Sequence, residues 1–170
     1  VTHISAAMGA IVWMVIEWIR FGKPSLVGIV TGMVAGLATV TPASGFIGVP
    51  GGLILGLSGG IICYFSVDLI RSTLKIDDSL DVFAVHGVGG ILGTLMVSFL
   101  ALETFSGAGL AQEMSVNSQF LAQLFGVFLT VIWTLIFTYI ALKITSLSTS
   151  LRVEEQEEIE GLDLRSHGER

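Results

Sequence analysis

A histidine lies inside an apolar stretch of this sequence, shortly after two aspartates. The stretch DDSLDVFAVHGVGGILG runs from Asp77 to Gly93, and Asp78 and Asp81 precede His86 by eight and five positions. A neutral imidazole offers one hydrogen-bond donor and one acceptor, so it can polarise a small polar molecule or pass a proton without holding a permanent charge. Glycines leave room beside the ring at Gly87, Gly89 and Gly90.

Plainer roles exist for the same residues. His86 could simply hydrogen-bond a neighbouring helix. Acids at a helix start are favoured by the helix dipole and cap free N–H groups, so Asp78 and Asp81 are either caps or part of a vestibule that attracts cations. We expect Asp77 to be solvated.

The composition is that of an integral membrane protein. Of the 170 residues, 52% are hydrophobic and only 13% are charged, against about 25% charged residues in soluble domains. The single cysteine, Cys63, lies in an apolar run and excludes a disulfide framework or a multi-cysteine metal site. The net charge of −6 belongs mainly to the stretch from Glu154 to Glu169, so it gives no indication of a nucleic-acid partner.

Five apolar segments are near the length of about 20 residues that crosses a bilayer as a helix. Barrel strands would be shorter and would alternate. The segments lie at 4–19, 26–43, 51–70, 82–102 and 120–144. We therefore predict an all-α, polytopic transmembrane helix bundle over residues 1–150, followed by a cytoplasmic tail at 151–170. The chain begins at Val1 inside an apolar run, which we interpret as a fragment without its N-terminal part.

The basic residues test this count of crossings. With five crossings, the loops after segments one, three and five lie on the same side of the membrane. All eight lysines and arginines end or follow those segments: Arg20, Lys23, Arg71, Lys75, Lys143, Arg152, Arg165 and Arg170. The positive-inside rule makes that side cytoplasmic. The C-terminus is then inside and Val1 outside.

Glycine spacing predicts how the helices meet. Glycines at every fourth position let helix backbones approach closely in a membrane. They occur at Gly28, Gly32 and Gly36, at Gly52, Gly56 and Gly60, and at Gly89 and Gly93. We expect them to be packing surfaces and not ligand sites.

Two acids near the cytoplasmic helix ends are expected to pair within their own helices. Arg20 follows Glu17 by three residues and Arg71 follows Asp68 by three. His3 begins an apolar run, but it lies at the outer end of its helix and is not expected in a pore.

The stretch DDSLDVFAVHGVGGILGTL closely resembles the signature helix of the ammonium transporter family (Amt/Mep/Rh). The resemblance continues, in the expected order, through EWIRFGKPSLVG from Glu17, GLATVTPASGFIGVPGGLILG from Gly36 and LRVEEQEEIEGLDLRSHGE from Leu151. It covers essentially the whole chain, and the last block favours the Amt branch.

The resemblance implies the ammonium-transporter fold, assembled as homotrimers. Each protomer would have eleven transmembrane helices, of which ten form two inverted five-helix halves and the eleventh follows them. The five segments would be helices seven to eleven. Each protomer would have a narrow hydrophobic pore with two histidines at its middle, of which His86 matches the second, while the first would lie upstream of Val1. Asp78 would be the counterpart of an acid in the missing half. Val82 and Ile91 are candidate pore-wall residues.

The substrate implied is ammonium or ammonia, with methylammonium as an analogue, and no cofactor or metal is implied. Ammonium would lose its proton at the outer mouth, and ammonia would pass along the histidines. The tail, with His167 in RSHGE, would couple the trimer to PII signal proteins.

Other functions remain open. An ammonium sensor of the same fold would signal through the tail. An ion-coupled secondary transporter of another fold would usually break its helices at mid-membrane, and no clear interruption is predicted in segment four. A membrane enzyme would need a second catalytic group near His86, and no serine–histidine–aspartate set or metal-ligand spacing is evident.

Overall fold

The computed structural model describes residues 1–163, 165 and 168, and no β-strand occurs among them. The prediction of an all-α protein is confirmed. The elements are α1 (Thr2–Phe21), α2 (Leu26–Val40), α3 (Val49–Asp68) with a π turn at Leu69–Thr73, a π turn at Phe83–Gly87 that leads into α4 (Val88–Leu100), a 3-10 turn at Glu103–Phe105, α5 (Val116–Thr145) and α6 (Glu155–Glu160).

Four of these helical stretches are long and apolar enough to cross a membrane: Thr2–Phe21, Val49–Thr73, Phe83–Leu100 and Val116–Thr145. The apolar helix α2 has only 15 residues, which is about 22 Å at 1.5 Å per residue. It ends at Val40 and the chain continues in turns to Phe46. Pro42 has no N–H with which to extend the helical hydrogen bonds.

The first of two compact units contains residues 1–127, and within it α1 packs against both α2 and α3. The six spaced glycines of α2 and α3 lie against α1 or the residue before it. A Cβ on Gly60 would lie 3.0 Å from a Val12 methyl group, and one on Gly52 would lie 2.9 Å from a Val1 methyl group. Since these contacts are tight, a larger side chain would push the helices apart.

α4 packs against α2 and α3 through the other two spaced glycines. A Cβ on Gly89 would lie 2.9 Å from the Thr39 hydroxyl, and Gly93 lies directly against the Thr39 carbonyl. Cys63 is fully buried nearby, in a cluster with Trp13, Ala35, Tyr64 and Val85. Helices one to four are therefore joined through close backbone contacts.

The predicted ion pairs within α1 and α3 are wrong. Glu17 instead accepts hydrogen bonds from the Ser25 N–H and hydroxyl, at 2.6 and 3.1 Å. Arg20 pairs with Asp68 at 3.2 Å, and Arg71 pairs with Asp81 at 2.7 Å. A pair three residues apart on a helix is worth only a few tenths of a kcal/mol, about 0.2–0.5, so partners from other segments readily replace it.

The second unit contains residues 128–170. Within it, Trp133 and Phe137 stack with ring centroids 4.1 Å apart. No residue of α5 is buried, although this helix has the highest mean hydropathy of the four spanning-length stretches. The part of α5 within this unit, residues 128–145, is exposed at every position, which suits a lipid surface or a protein partner. Arg152, which precedes the short helix α6, forms an ion pair at 2.9 Å with Glu158 of that helix.

Candidate functional site

His86 lies in the π turn that begins the fourth spanning helix, Phe83–Leu100. The Val88 N–H donates to the Phe83 carbonyl, five residues back. The helix is therefore not unwound, but its first turn is wider than an α turn. The spacing of the apolar residues does not predict this π turn. Such turns are rare and occur frequently at functional sites.

The His86 side chain faces an open groove of about 330 Å³ between this helix and the end of α2. The groove is lined by Ala38, Thr41, Pro42, His86, Gly90 and Thr94. His86, Gly90 and Thr94 follow one another at intervals of four residues, so they share one face of the helix. Below, the His86 groove means these six residues.

Two threonine hydroxyls place oxygen atoms in the His86 groove. The Thr94 hydroxyl donates to the Gly90 carbonyl at 2.8 Å, and the Thr41 hydroxyl donates to the Leu37 carbonyl at 2.6 Å. Because each hydroxyl hydrogen is used within its own helix, the oxygen lone pairs remain as acceptors. The groove thus combines an imidazole, two acceptor oxygens and apolar surface.

The glycines around His86 do not all leave space. A Cβ on Gly90 would have no atom within 4 Å, so the groove is open there. Gly89 instead packs against Thr39 and Cys63, and Gly87 packs against the Phe83 ring. The predicted room beside the histidine is therefore provided by Gly90 alone. Val82 and Ile91, the candidate wall residues, are not among the residues that line this groove.

Asp78 caps the helix that bears His86. One carboxylate oxygen accepts from the Val82 N–H at 2.8 Å, and the other accepts from the Phe83 and Ala84 N–H groups at 3.0 and 3.2 Å. These are N–H groups of the helix start that have no carbonyl partner within the helix. Asp78 does not line the His86 groove, so it is connected to His86 only through the backbone of the helix that it caps.

Asp81 is turned away from the groove and towards Arg71. Its side chain is 15% exposed and one oxygen lies 2.7 Å from Arg71 Nε. Burial raises the pKa of the Asp81 carboxyl above its ordinary value, and the Arg71 charge offsets only part of this rise. Asp81 also has a positive φ of 56°, which is uncommon for a residue other than glycine.

The contacts that Arg71 makes with the following loop were not predicted from the sequence. Besides its pair with Asp81, Arg71 Nη2 donates to the Ser79 carbonyl at 2.6 Å and Nε donates to the Asp78 carbonyl at 3.3 Å. These acceptors lie seven to ten positions later in the chain, across a loop. The basic residue and the three acids of DDSLD were visible in the sequence, but no helical spacing connects them.

Neither of the other two histidines is placed in the His86 groove. His3 is exposed on α1 and is not among the residues of the His86 groove. His167 lies outside the described residues. Asp77 is exposed, as expected.

The family model of the Ammonium Transporter Family matches residues 1–170, the whole chain. The chain belongs to this family. Its members named among the relatives of the chain are ammonium transporters and not enzymes. Ammonium transporter Amt1 of Archaeoglobus fulgidus is 46% identical over 171 residues, which cover 99% of this chain and 42% of that relative. The ammonium transporter of Bacillus subtilis is 35% identical over 170 residues, with the same two coverages.

Solved structures of this family have the same fold. The structure titled Sensor Amt Protein matches with a TM-score of 0.83 and 29% identity, over 96% of this chain and 40% of that one. Saccharomyces cerevisiae Mep2 matches with a TM-score of 0.73 and 32% identity, over 86% of this chain and 36% of that one. The chain spans about two fifths of the length of the curated relatives named above.

Proposed function

We propose that this chain forms one side of a pore that conducts ammonia across a membrane, in a transporter that takes up ammonium. The observation that carries the proposal is His86 in its open groove, on the helix whose sequence resembles the signature helix of the family. Family membership supports the substrate. It also removes the alternative of an ion-coupled transporter with another fold.

The chemistry of the groove suits ammonia better than ammonium. Moving an isolated cation into hydrocarbon is prohibitive unless it is paired or neutralised. We infer that ammonium gives up its proton at the outer mouth and that ammonia then travels past His86. A neutral imidazole can donate one hydrogen bond to the ammonia nitrogen or accept one from it. The acceptor oxygens of Thr41 and Thr94 would extend this path along the groove.

We propose that the chain supplies helices seven to eleven and the second of two pore histidines. The open side of the His86 groove supports this, because a second group of helices would be needed to close it. A transporter site at the interface of two inverted halves is a general plan for such proteins. In this proposal the partner histidine belongs to the other half, and so does a site at the outer mouth that first binds ammonium.

The two predicted site acids have different roles in this proposal. Asp78 holds the start of the helix that bears His86 (Phe83–Leu100, called the histidine helix below) through its three backbone hydrogen bonds. Its negative charge at a helix N-terminus is also favourable. Asp81 forms an ion pair with Arg71 in the loop that precedes this helix. Neither aspartate needs to contact the ammonia for the pore to work.

The orientation in the membrane follows from the basic residues. We propose that residues 1–150 are the transmembrane domain and that residues 151–170 are a tail in the cytoplasm. The Arg20–Asp68 and Arg71–Asp81 pairs lie at the helix ends that this orientation places inside. The membrane is the plasma membrane or a bacterial inner membrane.

Assembly and regulation are proposed from the family resemblance. We propose a homotrimer in which each protomer has its own pore, with PII signal proteins as partners of the tail. The tail contributes the short acidic helix Glu155–Glu160, and Arg152 pairs with Glu158 next to it. A charged, exposed segment of this kind suits a reversible contact with a soluble protein.

A sensor is the second candidate. The neighbour with a TM-score of 0.83 is titled Sensor Amt Protein, which favours a sensor of the same fold as the alternative. A sensor would bind ammonium and signal without net uptake. Transport of the substrate therefore distinguishes the two functions.

Uptake of radiolabelled methylammonium tests the proposal. Cells lacking their own ammonium transporters would express the full-length gene product, either unchanged or as His86→Ala. The matched control is His3→Ala, which removes an exposed histidine outside the groove. We expect His86→Ala to abolish uptake or change its selectivity, and His3→Ala to behave as wild type. Unchanged uptake and selectivity in His86→Ala would remove this residue from the pathway, and binding without uptake by the wild-type protein would favour the sensor.

A further inference from the structure

One arginine holds the loop between α3 and the histidine helix. The Arg71 guanidinium contacts three successive parts of this loop: the Asp78 carbonyl, the Ser79 carbonyl and the Asp81 carboxylate, at 3.3, 2.6 and 2.7 Å. A planar guanidinium with several fixed donors suits such a set of acceptors. Arg71 itself lies in the π turn at the end of the third spanning stretch, so it joins that helix to the loop.

The residues that Arg71 contacts also hold the start of the histidine helix. The Asp78 carboxylate accepts from the Val82, Phe83 and Ala84 N–H groups. The Asp81 carbonyl accepts from the Val85 N–H at 2.9 Å, and the Asp81 N–H donates to the Asp78 carbonyl at 3.1 Å. His86 is the next residue after Val85. A continuous set of hydrogen bonds therefore leads from Arg71 to the turn that bears His86.

The conformation of this loop depends on Arg71. Asp81 has a positive φ and a largely buried carboxylate. Both features are unfavourable for an aspartate unless its surroundings compensate for them. The Arg71 charge, 2.7 Å from one Asp81 carboxylate oxygen, compensates for the buried charge, although that oxygen accepts no hydrogen bond from the described residues. Without the Arg71 charge, the carboxylate would turn towards water and the loop backbone would follow.

We propose that Arg71 is a positioning residue for transport, which fixes Asp78 and Asp81 so that the π turn presents His86 to its groove. The inference rests on the proposed function in one respect, namely that His86 lies on the ammonia pathway. Arg71 does not line the His86 groove, so its effect on transport passes through the loop.

Lys75 provides a matched control. It lies in the same loop, has the same charge and is exposed, and no described residue forms a hydrogen bond or ion pair with it. Arg71→Gln and Lys75→Gln each remove one positive charge from this side of the protein. A general electrostatic effect would therefore appear in both variants, whereas the positioning effect would appear only in Arg71→Gln.

Two measurements on the full-length gene product test the inference. Hydrogen exchange followed by mass spectrometry reports on the peptide that contains the Val82–Ala84 amides, and methylammonium uptake reports on transport. We expect Arg71→Gln to speed exchange of these amides by about tenfold, as for the loss of a helix cap. Its maximal uptake rate should fall by about tenfold with little change in KM, since a displaced group slows passage more than it weakens capture. Arg71→Lys should recover part of both effects.

A second variant keeps the test valid if Arg71→Gln fails to reach the membrane. Asp81→Asn removes the charge of the ion pair, and asparagine tolerates the positive φ at this position. It should speed exchange of the same peptide by a smaller factor than Arg71→Gln. Exchange in either variant equal to that of Lys75→Gln would overturn the inference, and so would faster exchange with unchanged uptake. Absence of methylammonium uptake by the wild-type protein would instead refute the proposed function, while the exchange data would still decide whether Arg71 holds the loop.

Discussion

Asp78 holds the turn that bears His86, although the two side chains do not share a groove. The Asp78 carboxylate accepts the N–H groups of Val82, Phe83 and Ala84, at distances from 2.8 to 3.2 Å. His86 lies within the π turn that those residues begin. The eight-residue spacing between the aspartate and the histidine therefore has a structural explanation that does not require them to touch.

This relationship predicts the effect of removing the cap. Asp78→Ala should destabilise the start of the histidine helix by about 1–2 kcal/mol, the upper range for loss of a helix cap. Asp78→Asn should cost less, because one amide oxygen still accepts. Thermal unfolding of the detergent-purified protein gives the order wild type, Asn, Ala. Lys75→Ala, at an exposed position in the same loop, is the control, and a larger loss for Lys75→Ala than for Asp78→Ala would contradict the capping role.

The glycine contacts predict a second stability effect. A Cβ on Gly56 would lie 2.8 Å from the Met8 Cβ and 2.9 Å from the Ser5 Cα of α1. Gly56→Ala should therefore lower the melting temperature by overpacking, at a cost of about 1–3 kcal/mol, although alanine is the better helix former. Gly45→Ala, at a site with no atom within 4 Å of the added methyl group, should be nearly neutral. A rise in melting temperature for Gly56→Ala would show that α1 is not packed in this way.

The orientation in the membrane predicts the accessibility of two loops. Ser106 follows the 3-10 turn after the fourth spanning helix, and Ser148 follows α5. Both residues are exposed. After substitution of each by cysteine in a background without Cys63, an impermeant thiol reagent should label position 106 in intact cells and position 148 only after lysis. The reverse pattern would place the basic loops outside and overturn the assignment of the cytoplasmic side.

Helix existence could be predicted from the sequence because the apolar runs are long and separated by polar blocks. Helix ends were harder to predict. α2 stops at Val40 and not at Ala43, and α5 begins at Val116 and not at Phe120. Pro42 explains the first difference. The earlier start of α5 arises because the helix begins in the polar residues that precede its apolar part.

The candidate site could be predicted only in part. His86 was recognisable as an isolated imidazole in an apolar run, and Asp78 as a cap candidate by its place before that run. The π turn has no evident signal in the sequence. The Arg71 contacts depend on a loop in which Asp81 adopts a positive φ, so they follow from tertiary structure and not from spacing. For the same reason, the expected Glu17–Arg20 and Asp68–Arg71 pairs were wrong.

Filling the groove beside His86 at Gly90 tests whether ammonia passes through it. A Cβ on Gly90 meets no atom within 4 Å, so the first atom of a new side chain would enter the groove without a clash in this chain, and Gly90→Leu would fill the groove. Gly126→Leu is the control, because it makes the same change on α5 at a site that is equally open. With matched amounts of folded protein in the membrane, methylammonium uptake should fall to background for Gly90→Leu and persist for Gly126→Leu. Uptake by Gly90→Leu at the wild-type rate would mean that the substrate does not pass through this groove.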